Sequence, residues 1–250
     1  MNSSTSFDAY GQYYDLIYRD KDYTSEAAYV DALLRKHGIV GKEILELGSG
    51  TGRHARSLSA LGYQILGLER SPKMVKAAEQ TETFQCIVGD ACSARLDRTF
   101  SAVLALFHVV SYQITNTSLR ALFHRAAEHL QSGGLFVFDF WYSPAVYACR
   151  PETRLKTVSD ANIRVNRIAE PKIFPNENRV DVHYTVLVED LRTGQLTSFS
   201  EIHPMRHFSL LEVELLAEFS GFEKLSAEEF LTGKQPGEDT WGVCMAFRKR

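Results

Sequence analysis

Glu43-Ile-Leu-Glu-Leu-Gly-Ser-Gly-Thr-Gly52 decides the fold of this chain. An apolar run ends in three glycines spaced by single residues, and a helical pattern follows at once. That order reads as a strand, a tight turn and a helix N-terminus. Glycines in such a turn let the backbone approach a ligand with no side chain in the way. A dinucleotide-binding turn reads Gly-x-Gly-x-x-Gly, with the last glycine packing helix on strand. Here the run is Gly-x-Gly-x-Gly, and Arg53 stands where the dinucleotide pattern has glycine. Glu46 sits just before the turn. Its carboxylate would repel a pyrophosphate and attract an ammonium group. The expected ligand is an amino acid joined to a nucleoside.

Further along the chain the same ligand accounts for two more strand ends. Gln64-Ile-Leu-Gly-Leu-Glu69 reads as a second strand ending in an acid, a place that commonly takes the two ribose hydroxyls. Ser71-Pro72 follows as helix N-cap and first helical position. Phe84-Gln-Cys-Ile-Val-Gly-Asp90 reads as a third strand closing on an acid that can accept a hydrogen bond from an adenine amino group. Ligands of open α/β sheets bind beyond the carboxyl ends of the strands, so turn, ribose acid and adenine acid converge on one crevice. S-adenosylmethionine satisfies all three.

This ordered set resembles the class I S-adenosylmethionine-dependent methyltransferases. Phe100-Ser-Ala-Val-Leu-Ala-Leu-Phe-His108 looks like that family's fourth strand, and Gly133-Gly134-Leu-Phe-Val-Phe-Asp139 like its fifth. The resemblance implies an α/β fold, a Rossmann-like sheet with helices on both faces and an inserted small antiparallel sheet. It implies cofactor contacts from Glu46, Gly48, Ser49, Gly50 and Gly52 in the turn, and from Glu69, Arg70 and Met74 after the second strand. Gly89, Asp90 and Ala91 would add contacts after the third strand, Leu106 and Phe107 after the fourth.

More closely, the chain is similar to bacterial N,N-dimethyltransferases of nucleotide-linked amino sugars, the desosamine and mycaminose type. Tyr14-Asp-Leu and Lys21-Asp-Tyr23 look like that group's N-terminal cofactor lid, which adds Tyr14 and Tyr23 to the implied cofactor contacts. Arg179-Val-Asp-Val-His-Tyr184, Glu201-Ile-His203 and Phe208 resemble its inserted-sheet pattern. Tyr112 and Tyr14 match the positions where the mycaminose-type enzymes carry a histidine and a tyrosine near the amine. The chain departs from the group at three places. His108 replaces a serine, Asp139-Phe-Trp-Tyr142 replaces acid-Pro-Trp-Trp, and Glu238-Asp-Thr-Trp-Gly242 lacks an arginine expected near a diphosphate. The implied activity is methylation of a small molecule, foremost the nitrogen of a nucleotide-linked amino sugar. The alternative acceptor is an oxygen of a sugar, polysaccharide or natural product, followed by an RNA or protein acceptor and by a cofactor binder without catalysis. An Asn-Pro-Pro-Tyr signature for exocyclic base amines is absent, since Leu106-Phe-His-Val-Val110 stands there.

Composition agrees with a globular enzyme and argues against nucleic acid as partner. The 250 residues are 44% apolar and 24% charged, with a net charge of only −3, and basic residues do not cluster. Cys86, Cys92, Cys149 and Cys244 form no Cys-x-x-Cys pair and no Cys/His cluster with ligand spacing, so reduced thiols and no metal are expected. Met1 to Phe7 carry no leader pattern, and no apolar run approaches a membrane span, which makes the cytoplasm the expected location.

Residues 1–41 are expected to form an aromatic lid and a helix, 42–142 with 209–250 the core, and 143–208 an inserted antiparallel sheet over the acceptor. Tyr10, Tyr13, Tyr14, Tyr18 and Tyr23 make a cover segment that packs within one chain or across a homodimer. Leu210, Leu211, Val213, Leu215, Leu216 and Phe219 are the expected buried face of a late helix capped by Ser209. The catalytic candidates are His108, Tyr112 and Tyr14. Histidine can accept a proton near neutral pH. A phenol of ordinary pKa, about 10, is a poor base but a good orienting partner. Acceptor contacts are expected from Trp141, Tyr142, His183, Glu201 and His203, with Asp139 beginning the same loop as Trp141. An amine arrives from water protonated, so the site has to release a proton or lower the amine pKa by desolvation.

Overall fold

A computed structural model describes residues 9–250; the readings placed on residues 1–8 lie outside the described residues. A turn of 3₁₀ helix at Tyr10–Tyr13 leads into α1 (Tyr14–Ile17) and α2 (Tyr23–Lys36). Asp22 caps α2, accepting from the Ser25 N–H at 2.9 Å. Strand and helix then alternate through β1 (Glu43–Leu47), α3 (Arg53–Ala60), β2 (Gln64–Glu69), α4 (Pro72–Ala77) and β3 (Phe84–Val88). β4 (Phe100–Ala105), α5 (Asn116–His129) and β5 (Leu130–Tyr142) complete the alternating half. α6 (Ser143–Ala148) opens the insertion, followed by β6 (Arg154–Ser159), β7 (Ile163–Phe174), β8 (Arg179–Asp190) and β9 (Leu196–Phe208). α7 (Leu210–Phe219), β10 (Phe222–Glu229) and β11 (Gly242–Lys249) return to the core.

The core strands run in the order β3-β2-β1-β4-β5, all parallel, with β11 antiparallel beside β5 and β10 beyond it. Both faces are covered. Leu45 and Val103 pack with Phe123 of α5 and Val213 of α7, while Ile44 and Ala102 pack with Leu34 of α2 and Leu58 of α3. Burial on both faces is why β1 and β4 read as unbroken apolar runs.

β6 to β9 form the antiparallel sheet expected of the insertion, and it is continuous with the core sheet. The end of β9 pairs with the end of β5, Trp141 with His207 and Tyr142 with Phe208. β5 outruns β4, and the backbone groups it leaves open are taken by β9. The cover segment packs on its own chain. Tyr10 stacks on Tyr184 at 5.0 Å, and Ile17 joins Val165 and Val186 on the inner face of the inserted sheet.

α7 corrects the sequence. Val213 and Ala217 are buried, but Leu211, Leu215 and Phe219 are 76%, 57% and 85% exposed. They recur at a spacing of four, so they share one stripe, which the helix turns away from the core. Ser209 does cap this helix, accepting from the Glu212 N–H at 3.3 Å, but Glu212 pairs with Arg206 and does not complete the capping box.

Candidate active site

The turn after β1 holds Gly48, Gly50 and Gly52 at φ +67°, +57° and +76°, the left-handed region that favours glycine. Two of these glycines serve different ends. A Cβ on Gly52 would stand 2.3 Å from the Phe84 ring, so Gly52 packs the start of α3 on β3 and does not face the site. A Cβ on Gly50 would meet only Met74 Sδ at 4.0 Å, so Gly50 keeps space open in the crevice. Gly52→Ala is expected to destabilise the protein by ~2–4 kcal/mol, from overpacking plus backbone strain, read as a lower urea midpoint. Gly50→Ala carries the strain alone, about 1 kcal/mol, and its larger effect should fall on cofactor affinity. Equal urea midpoints for the two variants would contradict this division.

A cavity of about 920 Å³ opens beyond these strand ends. Its crevice side is lined by Gly48, Gly50, Glu69, Arg70 and Met74, then by Gly89, Asp90, Ala91, Leu106 and Phe107. Tyr14 and Tyr18 cover it from the N-terminal segment, and Arg154, Arg167, Tyr184 and His203 bound it from the inserted sheet. His108, Tyr112 and Trp141 stand between the two halves. Ligand clefts span roughly 300–1,000 Å³, so this one lies at the upper end of that range.

Glu69 Oε2 accepts from the Gly50 N–H at 3.0 Å and Oε1 from the Ser71 N–H at 2.7 Å. Burial nevertheless raises its carboxyl above the usual range. Asp90 Oδ1 accepts from the Cys92 N–H at 2.7 Å. Glu46 is 2% exposed, and burial, with the Glu69 charge second, pushes its carboxyl up to about 8. Its Oε1 lies 3.9 Å from His54 Nδ1, while Oε2 is buried without a hydrogen-bond partner. His54 Nε2 in turn lies 2.6 Å from Glu26, which pairs with Lys21.

Several expected residues stand elsewhere. Glu46, Ser49, Gly52 and Tyr23 do not line the cavity. Ser49 Oγ turns to Cys86 Sγ at 3.2 Å, filling the space a side chain at Gly67 would need. Tyr23 closes the outer side of the lid, its ring edge-on to His54 at 4.9 Å with the Arg53 guanidinium 5.0 Å over it. Tyr142 packs on the core and donates its N–H to Trp241 O at 3.0 Å. His183 is on the wrong face of β8: it pairs with Ile202, which is 49% exposed, while Val182 pairs with His203 on the inner face. Glu201 sits behind His203, out of the cavity.

Two acid–histidine pairs emerge. His108 Nδ1 lies 2.6 Å from Asp139 Oδ2, and the His108 N–H donates to both Asp139 oxygens at 3.2 and 3.1 Å. Asp139 is 1% exposed and backs His108 without lining the cavity. Burial alone would raise its carboxyl, but the His108 charge and hydrogen bonds hold it below the usual range. The second set runs from Glu201 through His203 to the Tyr112 hydroxyl. Arg167 was unmarked in the sequence; its Nη1 donates to the Tyr10 and Tyr18 hydroxyls at 3.2 and 3.3 Å. No local signal announces it, since its partners come from a segment about 150 residues away.

S-adenosylmethionine fits these residues. Gly50 lines the crevice and its missing side chain leaves space open there, and Glu46, two residues before Gly48 and outside the cavity lining, carries a buried carboxylate oxygen without a hydrogen-bond partner that suits an ammonium group. Among the described residues no group of three or more His, Cys, Asp or Glu is placed to hold a metal, and no helix is long and apolar enough to cross a membrane.

Comparison with known proteins agrees with the geometry. A family described as "Methyltransferase domain" matches residues 44–134. The dTDP-3-amino-3,4,6-trideoxy-alpha-D-glucopyranose N,N-dimethyltransferase of Streptomyces venezuelae is 31% identical over 90% of this chain and 92% of its own. The dTDP-3-amino-3,6-dideoxy-alpha-D-glucopyranose N,N-dimethyltransferase of Streptomyces fradiae is 28% identical over 90% of this chain and 86% of its own. The crystal structure of Streptomyces venezuelae DesVI superposes with a TM-score of 0.79 at 26% identity, covering 94% of this chain and 97% of that one.

Proposed function

This chain belongs to the family of S-adenosylmethionine-dependent N,N-dimethyltransferases of nucleotide-linked amino sugars, and from that premise we propose that it methylates the amino nitrogen of such a sugar. The observation that carries the proposal is the single cavity running from Glu69 and Asp90 to Arg154 and Arg167, past His108 and Tyr112. S-adenosylmethionine supplies a methyl group made electrophilic by its sulfonium. Glu46 would take its ammonium, Glu69 the ribose hydroxyls and Asp90 the adenine amino group. Met74 and Leu106 would flank the base, and Tyr14 would close over it. Arg154 and Arg167 would supply the charge for a diphosphate that Glu238-Asp-Thr-Trp-Gly242 does not. Holding the acceptor against the methyl and excluding water carries much of the acceleration, with effective molarities up to about 10⁵–10⁸ M in well-oriented cases. The cytoplasm, where both co-substrates are made, is the compartment this reading implies.

The Asp139–His108 pair favours a second reading, O-methylation. A carboxylate on Nδ1 leaves Nε2 as the basic nitrogen of the neutral ring, an arrangement suited to a hydroxyl acceptor. The two readings separate in a mass-spectrometric transfer assay with S-adenosylmethionine and paired nucleotide-sugars that differ only in amino versus hydroxyl at one carbon. Methyl increments on the amino member alone are the expected result. An increment on the hydroxyl member alone would move the assignment to oxygen.

A further inference from the structure

Arg167 lies midway along β7, paired with the buried Val186 of β8 and lining the cavity. Its Nη1 donates to the Tyr10 and Tyr18 hydroxyls at 3.2 and 3.3 Å, and its Nε is buried without a hydrogen-bond partner among the described residues. Three other arginines of the inserted sheet each pair with a carboxylate. Arg164 lies 2.8 Å from Glu189, Arg179 2.8 Å from Asp181 and Arg206 2.6 Å from Glu212. Arg167 pairs with no carboxylate among the described residues; its partners are neutral phenols. A guanidinium stays charged at any working pH, and a charge drawn out of water without a counter-charge is costly. The position calls for an anion from the cavity, and phosphate oxygens match a guanidinium well.

The two hydroxyls that Arg167 holds belong to the segment covering the cofactor crevice. Tyr10 and Tyr18 stand on either side of α1, and the Tyr10 O–H donates to the Tyr18 oxygen at 3.3 Å, so one side chain grips the segment before and after its helical turn. From α1, Asp15 accepts from the Thr51 hydroxyl at 2.7 Å, and Thr51 stands between Gly50 and Gly52 in the glycine turn. The Tyr18 ring meets Phe107 edge-on at 5.2 Å, and Phe107 lines the crevice after β4. The cover therefore joins the cofactor turn to the inserted sheet through less than one turn of helix. Arg154 lines the same end of the cavity but has no hydrogen bond or ion pair to the cover among the described residues.

We propose that Arg167 is a positioning residue that ties the acceptor's anionic group to the cover over the cofactor, so that the two ligands bind cooperatively. This rests on the diphosphate reading above. A ligand shifts an equilibrium only by its differential affinity for the two arrangements, and Arg167 supplies that difference. With the cover seated, the guanidinium is held by two hydroxyls at the cavity wall, where a diphosphate gives it a counter-charge. With the cover lifted, the same side chain loses both hydroxyls and has to be ordered by the anion alone. Diphosphate binding thus favours the seated cover, and the seated cover retains the cofactor. Linkage makes the effect reciprocal: bound cofactor tightens the diphosphate by the same factor. Water is then excluded most fully when both ligands are present.

The test is calorimetric titration of S-adenosylhomocysteine with and without saturating thymidine diphosphate, read as the ratio of the two affinities. Wild type should show a ratio of about tenfold, inside the usual coupling range of about 5–150-fold. Arg167→Lys keeps a cation but cannot grip two hydroxyls and an anion at once, and its ratio should fall below about twofold. Tyr10→Phe/Tyr18→Phe removes the grip from the other side and should do the same with Arg167 intact. Arg154→Gln should weaken thymidine diphosphate yet keep a ratio of about tenfold. A merely structural defect lowers either affinity without removing the ratio. Should Arg167→Lys fail to fold, Tyr10→Phe/Tyr18→Phe decides. Wild type that binds both ligands with a ratio near one, or a ratio that survives in Arg167→Lys or falls equally in Arg154→Gln, overturns the coupling and leaves the proposed function standing. Wild type that binds S-adenosylhomocysteine but no thymidine diphosphate overturns the diphosphate reading and the coupling with it.

Discussion

Replacing Glu46 by glutamine is expected to weaken S-adenosylmethionine binding by about tenfold to a hundredfold, the worth of one charge-assisted hydrogen bond at about 1.5–3 kcal/mol. The same change should stabilise the cofactor-free protein at alkaline pH. Burial holds the Glu46 carboxyl at about 8 in the folded chain, against an ordinary value near 4.5. A raised pKa means that the folded state keeps a proton the unfolded chain has lost. The stabilising contribution is full below about 4.5 and declines by roughly 1.4 kcal/mol per pH unit until it is gone above about 8. Wild type should therefore lose stability across that window relative to Glu46→Gln. An ammonium beside Glu46 would favour its ionised form, so cofactor binding near pH 7 should release a proton. Calorimetry in two buffers of different ionisation enthalpy reads that release, and urea melts at pH 5.5, 7 and 8.5 read the stability. Unchanged affinity and no proton release in wild type would leave Glu46 as an internal partner of His54 and remove it from the cofactor site.

Asp139→Ala is expected to destabilise the protein by ~3–5 kcal/mol, the cost of breaking a buried charged pair. Asp139 holds the ring and backbone N–H of His108 together, and Phe107 and His108 are consecutive non-glycine residues at φ +63° and +66°. Such residues cost about 1–3 kcal/mol each and persist only where the surroundings impose them. Without the carboxylate the loop after β4 should relax and carry Leu106 and Phe107 away from the cofactor crevice. Asp139→Asn keeps an oxygen for the backbone N–H and should stay folded, but it removes the carboxylate charge beside the His108 ring. An amine acceptor should then lose less than about tenfold in kcat, and a hydroxyl acceptor about 10²–10⁴-fold. The acid side follows from the depressed Asp139 carboxyl. Its contribution to stability is present above the unfolded value of about 3.9 and is lost as pH falls through the lower folded value, so Asp139→Asn should flatten that part of acid unfolding. A wild-type melting curve for Asp139→Ala would defeat the prediction.

The crevice side of the cavity was legible in part because its signals are local, although Glu46, Ser49, Gly52 and Tyr23 stand outside the lining. Glu69 ends β2, Gly48, Gly50, Asp90 and Met74 each follow a strand within a few residues, and parallel strands deliver their carboxyl ends to one edge. The acceptor half was only partly legible. Glu201 and His203 share a face by their spacing, and the alternation of Val180, Val182, Tyr184 and Val186 puts His183 on the opposite face of β8, so counting it among the acceptor contacts rested on the resemblance and not on its own strand. The α7 stripe was misread because Leu211, Leu215 and Phe219 are apolar on a helix whose core-facing line is set by Val213 and Ala217.

By itself the sequence determined the parallel sheet, the glycine turn, the two acids at strand ends and the aromatic cover, since each rests on the period of a strand or helix and on contacts between near neighbours. The tertiary structure alone decided the side-chain pairings beside the cavity. His108 and Asp139 are 31 residues apart, and Tyr112 and His203 are 91. Such pairs depend on where β5 ends, how β9 joins it and which face the register turns inward, and those are outcomes of burying both sheets at once, a long-range balance that no local spacing records.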